Sequence, residues 1–282
     1  MQKTIDTLLD DMKNILKVKE HKPSSENIQH FLDNVKHEVI QMFEAKDHEA
    51  YLRMSNLGRP DRFLWFEMNK KTPSSSQDNS FETRLKFVVG HILEHLILLL
   101  AKEAGHSVTD QQKEVEIDGV KGHIDAKIDG IPVDAKTTSD YAFKKFSTGS
   151  ILRNKDEDVF GYVGQISAYS HAEKASKAGF LAINRNTCQT TYLPVTEFDF
   201  IDIPERIAHL KVVTTAAEPP KEKCYEPVPE GLSGNMTLNK NCTFCSHIKD
   251  CWGKDLRAFK YSTGVKYFTT IKKQPSVEEV FI

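Results

Sequence analysis

The chain has 282 residues, of which 39% are hydrophobic and 28% charged, with a net charge of −2. At about 150 residues per domain this is one elaborated domain or two small ones, and the composition excludes disordered, collagenous and disulfide-stapled classes. The longest apolar run, Leu96–Ala101, is six residues, too short to span a bilayer. Residues 1–9 lack the pattern of a secretory leader, so a cytosolic location is expected and the five cysteines are not expected to form disulfides. Residues 1–50 carry seven Lys and ten Asp/Glu, whereas Tyr141–Lys155 carries four Lys/Arg and no acid and Met236–Lys273 eight Lys/Arg against two Asp. Such basic runs either track a phosphate backbone or are solvated faces.

Apolar residues recur at helical spacing over residues 4–19 and 25–46, with a break and N-cap at Lys22-Pro23-Ser24-Ser25. An irregular stretch from Arg53 to Arg62, an aromatic run Phe63–Phe66 and a polar loop at Thr72–Asn79 follow. Phe81–Gly105 is expected as a long helix. The period then changes to two: Lys113–Ile117, Val120–Ile128 and Ile131–Lys136 read as an antiparallel meander turning at Asp118-Gly119 and Asp129-Gly130. A helix over Asp158–Ala175 and strands at Gly179–Ile183 and Thr190–Leu193 come next. A Pro-rich linker then leads to a segment with four of the five cysteines.

Two strands joined by a tight turn place Asp125 and Asp134 near each other, where two carboxylates can share a hard divalent cation such as Mg²⁺. Lys136 lies on the same strand face as Asp134. Such a trio suits phosphodiester hydrolysis, in which the metal polarises the phosphate and lowers the pKa of a bound water while the ammonium orients that water or stabilises the pentavalent charge.

Gly122-x-x-Asp125 through Asp134-x-Lys136 resembles the PD-(D/E)XK nuclease superfamily, above all its RecB-type exonuclease branch. The Pro that names the motif is absent before Asp125, as is common in that branch. Gly90-x-x-x-Glu94 is similar to the family's Gly-x-x-x-Glu/His element, and Gln165-x-x-x-Tyr169 to its Gln-x-x-x-Tyr helix. The resemblance implies a restriction-endonuclease-like α/β (α+β) core, a central mixed sheet flanked by helices. It also implies a Mg²⁺ or Mn²⁺ ion held by Glu94, Asp125, Asp134 and the Ala135 carbonyl, with Lys136, Gln165 and Tyr169 completing the catalytic set. His91 and His95, about 100° to either side of Glu94 on a helix, read as packing or supporting residues more than as ligands. Arg53-x-Ser55-x-x-Gly58-x-x-x-Arg62 resembles the family's Ser-led turn before the first core helix; Arg53, Arg59 and Arg62 are then either grips on a DNA phosphate or ordinary surface arginines.

Cys242-x-x-Cys245-x5-Cys251 resembles the C-terminal triad of RecB-type nucleases that carry a [4Fe-4S] cluster. The family's upstream cysteine is missing near Gly58, which leaves Cys224 as the fourth ligand and Cys188 as the reserve. Four thiolates also suit zinc. The expected organisation is a helical extension (1–50), a nuclease core (51–215) and a cysteine-cluster segment packed on it (216–282). The expected function is a metal-dependent DNA exonuclease of recombination or DNA processing in the cytoplasm of a bacterial or phage-infected cell. DNA with a free end and a single-strand annealing or binding protein are the implied partners, and no membrane. A structure-specific endonuclease with the same site and a non-catalytic DNA-binding module are the alternatives.

Overall fold

The computed structural model describes residues 3–44, 50–69, 80–253 and 256–281; the polar loop expected at Thr72–Asn79 lies outside them. The chain begins with helices α1 (Leu8–Ile15), α2 (Ser25–Gln41), α3 (Asp61–Asn69) and α4 (Phe81–Glu103). Strands β1 (Val108–Thr109), β2 (Lys113–Ile117), β3 (Val120–Ile124), β4 (Ala126–Ile128) and β5 (Ile131–Thr138) follow. After helices α5 (Asp140–Ser147), α6 (Ser150–Arg153) and α7 (Tyr162–Ala172) come β6 (Lys177–Asn184), β7 (Thr190–Thr196) and α8 (Ile203–Thr215). The last elements are β8 (Val228–Pro229), β9 (Met236–Thr237), α9 (Ile248–Trp252), β10 (Arg257–Tyr261), β11 (Gly264–Thr270) and β12 (Glu279–Val280). These residues form two compact units, the first of described residues up to 58 and from 80 to 208, the second of 59–69 and those from 209 on. Helices α1 and α2 belong to the first unit, and α3 to the second.

The first unit is mixed α/β. Its central sheet has the order β1-β4-β5-β6-β7, with β4–β5 and β6–β7 antiparallel and β5–β6 parallel. A parallel neighbour needs a long crossover, which α5 to α7 provide. Alternate residues of β5 and β6 point to opposite faces. Val133, Leu181 and Ile183 share a buried core with Leu8, Met12, Ile97, Leu98 and Ala101 of α1 and α4. On the other face Phe180 meets Phe146 of α5 with ring centroids 5.3 Å apart, and Lys136 reaches α7. Helix α4 begins where Ser80 Oγ accepts the Thr83 N–H at 3.2 Å, a side-chain N-cap.

Both expected hairpin turns form, with Asp118 and Gly119 at φ +49° and +81° and Asp129 and Gly130 at +51° and +82°, the left-handed pairs that Asp-Gly accommodates. The expected meander does not. The strand foreseen over Val120–Ile128 breaks at Asp125: β3 pairs with β2 in a separate two-stranded sheet, and β4 joins the central one. Asp125 leaves the ladder because its backbone carbonyl accepts the Gln112 N–H at 3.3 Å and its side chain is drawn onto β5.

The second unit holds a sheet of order β12-β10-β11-β9-β8, antiparallel throughout. Phe259 and Phe268, both buried, meet edge to face at 5.3 Å. Leu238, Cys242 and Leu256 form a smaller cluster against Tyr225, Ile248, Trp252 and Tyr267. Trp65 Nε1 of α3 donates to the Ala216 carbonyl at 2.7 Å, tying that helix into this unit.

Candidate active site

The β4–β5 register pairs Ala126 with Val133, so one further step would set Asp125 across from Asp134. There β4 ends, and Asp125 Oδ2 accepts the Ala135 N–H at 2.8 Å. The Asp134 side chain is fully buried; its Oδ2 lies 2.7 Å from Lys136 Nζ, and its buried Oδ1 has no hydrogen-bond partner among the described residues. Glu94, half-buried on α4, accepts from Gln112 Nε2 at 2.9 Å.

These groups feel one another. Burial pushes the Glu94 pKa up to about 7, with Asp134 and Glu38 adding to the effect and His91 and Lys136 opposing it. Burial and the charges of Glu94 and Asp134 raise that of Asp125. Burial alone would lower the Lys136 pKa, but the Asp134 and Asp125 carboxylates outweigh it and hold it above its ordinary value. That balance favours the ammonium form of Lys136.

Three carboxyl groups face one ammonium, and neither buried oxygen of Asp134 has a hydrogen bond among the described residues, its Oδ2 being held only by the ion pair with Lys136. That surplus of negative charge and hard oxygen donors suits Mg²⁺ or Mn²⁺, which take one or two protein carboxylates and fill the rest of their shell with water and phosphate oxygens. Among the described residues no group of three or more His, Cys, Asp or Glu side chains could hold a metal ion as they are placed. Each carboxylate instead has its own protein contact: Asp125 with Ala135, Asp134 with Lys136, Glu94 with Gln112.

Helix α7 brings in the remaining residues. Lys136 Nζ donates to Gln165 Oε1 at 3.4 Å, and Gln165 Nε2 donates to Tyr169 Oη at 2.9 Å. Burial raises the Tyr169 pKa, so its hydroxyl stays neutral. The Tyr162 ring lies 4.8 Å from Lys136 Nζ. It precedes Gln165 by three residues and Tyr169 by seven, one helix face, so helical spacing could have disclosed it. The start of α7 is fixed by Asp158, whose oxygens accept the Tyr162 and Val163 N–H groups at 2.7 and 2.9 Å. A backbone crossing adds to this: a Cβ on Gly164 would sit 2.5 Å from Gly58 Cα, and one on Gly58 2.3 Å from the Gly161 oxygen.

His91 Nδ1 pairs with Glu38 of α2, and His95 Nε2 lies 3.7 Å from the same carboxylate, so both histidines serve the α2–α4 packing. Arg53 and Ser55 are exposed at a 3-10 turn in the first unit. In the second unit the Arg59 guanidinium covers the Phe63 ring at 3.8 Å. Arg62 donates to Cys251 Sγ at 3.2 Å, to the Cys251 carbonyl at 3.3 Å and to the Pro220 carbonyl. Its fork is turned onto the cysteine segment. In the basic stretch 141–155, Lys145 pairs with Glu157 at 3.2 Å, while Lys144 and Lys155 are exposed.

Cys242 is buried and Cys224, Cys245 and Cys251 half-buried, all as free thiols. Burial and the charges of Cys245, Cys251 and Cys224 push the Cys242 pKa up to about 12. Burial, with Cys224 and Cys251, takes that of Cys245 to about 11. The four thiols thus lie within electrostatic reach of one another. Cys188 is elsewhere, exposed in the β6–β7 turn of the first unit at φ +58°.

No family model matches the chain, and no curated protein sequence does. Among solved structures it is similar to the protein SSO0001 at 16% identity, over 78% of this chain and 94% of that one, with a TM-score of 0.42. It is also similar to the alkaline exonuclease LHK-Exo from Laribacter hongkongensis at 16% identity, over 56% of this chain and 90% of that one, with a TM-score of 0.33. A phage-related exonuclease from Haemophilus somnus 129PT is similar at 12% identity, over 60% of this chain and 92% of that one, with a TM-score of 0.35. Each is a partial likeness of shape at low identity.

Proposed function

We propose that the chain is a Mg²⁺- or Mn²⁺-dependent deoxyribonuclease that degrades DNA from a free end. The observation that carries this reading is the buried Asp134–Lys136 contact at 2.7 Å, set beside Asp125 and Glu94 in the order of elements that the RecB-type resemblance requires. Asp125, Asp134, Glu94 and the Ala135 carbonyl would hold the cation. When bound, a divalent cation polarises the phosphodiester and lowers the pKa of a bound water.

The protein's own groups supply the rest. Lys136, kept charged by two carboxylates, stabilises negative charge developing on the phosphate and donates to the attacking water. Gln165 accepts from Lys136 and donates to Tyr169, which fixes the direction of the ammonium. The Tyr162 ring covers one side of that ammonium. Arg53 and Ser55, exposed at their turn, would meet the DNA backbone. Cys224, Cys242, Cys245 and Cys251 would hold a [4Fe-4S] cluster, or zinc in its place, as a structural and DNA-positioning element. A cytoplasmic setting and a single-strand annealing or binding partner belong to the same reading.

Linear and closed circular DNA, single and double stranded, each incubated with Mn²⁺, test it. Degradation of linear substrates alone is the expected result. Cleavage of closed circles would make the enzyme an endonuclease, and no cleavage of any substrate, with DNA still bound, would leave a binding module.

A further inference from the structure

Residues Asp110 to Gln112 join β1 to β2, and both Asp110 and Gln112 have left-handed backbone, at φ +53° and +54°. Side chains with a Cβ rarely adopt that conformation, and it persists where the surroundings hold it. Gln112 is exposed, so burial of apolar surface does not explain its conformation. Its hydrogen bonds do point somewhere. Its backbone N–H donates to the Asp125 carbonyl at 3.3 Å, and its Nε2 to Glu94 Oε1 at 2.9 Å.

One residue therefore ties together two carboxylate-bearing residues that come from different elements, the middle of α4 and the break between β3 and β4. Gln112 is also the sole hydrogen-bond partner of the Glu94 side chain among the described residues. A neutral amide donor fills one lone pair of Oε1, adds no charge to compete with a cation, and leaves Oε2 available. Asp134 and Glu38 repel the Glu94 carboxylate while His91 and Lys136 attract it, and the Gln112 amide gives it the one directional contact it has among the described residues.

We propose that Gln112 is a positioning residue that holds Glu94 and the Asp125 backbone at the separation at which they take up a divalent cation. The inference rests on the metal-dependent reading of the same site. Supports that orient a metal ligand through its free atoms change metal affinity by about ten- to a hundredfold when removed.

Gln112→Gly isolates the side chain: glycine accepts φ near +54° without strain and keeps the N–H that meets Asp125. Titration calorimetry with Mn²⁺ alone on wild type, Gln112→Gly and Asp134→Asn, with thermal unfolding of each, gives the answer. The expected result is a Mn²⁺ Kd weakened about tenfold or more in Gln112→Gly at unchanged Tm. Kinetically, the Mn²⁺ concentration for half-maximal rate should rise while KM for DNA and kcat at saturating Mn²⁺ stay near wild type. Wild-type Mn²⁺ affinity in Gln112→Gly overturns the inference alone. Lost affinity accompanied by a large fall in Tm makes the residue structural and overturns it too. A wild-type chain that binds no Mn²⁺, or an Asp134→Asn chain that binds it as tightly as wild type, overturns the underlying metal reading and this inference with it.

Discussion

The Ala135 N–H donates to Asp125 Oδ2 at 2.8 Å, at the point where β4 stops and β5 runs on. A side-chain carboxylate thus stands where a ladder acceptor would be, and the residue that breaks the strand is held beside Asp134. Asp125→Asn keeps an acceptor oxygen, whereas Asp125→Ala leaves an unmet N–H. Denaturant unfolding should find Asp125→Asn close to wild type and Asp125→Ala about 1–3 kcal/mol less stable. Equal stability of the two variants would show that the hydrogen bond does not anchor the break.

Helix α7 owes its position to two glycines. Because a Cβ on Gly164 would meet Gly58 backbone at 2.5 Å, and backbone cannot swing aside as a flexible side chain can, Gly164→Ala should cost about 1–3 kcal/mol or more. Cleavage should fall with it, since Gln165 is the next residue. A variant with wild-type unfolding would mean that the crossing is looser than described.

Glu173, just past α7, accepts from Lys127 Nζ and Lys113 Nζ, each at 2.9 Å. Those hydrogen bonds, first Lys127 and then Lys113, hold its pKa below the ordinary glutamate value of 4.5 against the opposing effect of burial. A depressed carboxylate stabilises the fold above its ordinary pKa and stops doing so as pH falls through the depressed one. Glu173→Gln should therefore be about 1–3 kcal/mol less stable than wild type at neutral pH, and the gap should close as pH drops below 4.5. A gap that is constant with pH would assign the loss to packing.

Burial, with the charges of neighbouring cysteines, raises the pKa of Cys224, Cys242 and Cys245, and a proposed inorganic centre would take these residues up as thiolates. Protein purified without oxygen should contain iron and sulfide at about four each per chain, lost in Cys242→Ser and kept in Cys188→Ser. One zinc per chain would change the metal and keep the ligands. Metal-free protein would remove the centre altogether.

The residues that were legible in sequence are those whose partners are close by or whose period repeats. Asp118-Gly119 and Asp129-Gly130 announce their own turns, the helix expected over Phe81–Gly105 is apolar along its length, and Asp134 and Lys136 share a face because strands alternate. Asp125 was legible as a carboxylate near Asp134 but not as a break, since apolar alternation continues past it and the strand ends through the Ala135 and Gln112 N–H groups. Gln112 lies in a loop with no period, and its role depends on where Glu94 happens to fall. Arg62, read as a DNA contact or a surface residue, bonds Cys251, 189 positions away. In the second unit β8, β9 and β12 are two residues long each, too short for alternation to register, while the five-residue β10 and seven-residue β11 went unread.

In the proposed reaction Lys136 and Asp134, 2.7 Å apart, act together at a divalent cation. Release of label from end-labelled linear DNA by wild type and Lys136→Ala, with Mn²⁺ and with excess EDTA, tests that most directly when paired with Mn²⁺ calorimetry on both chains. Wild-type cleavage abolished by EDTA, and a Lys136→Ala chain that still binds Mn²⁺ but releases label at least about a hundredfold more slowly, is the predicted result. Undiminished cleavage by Lys136→Ala, or wild-type cleavage that survives EDTA, would contradict it.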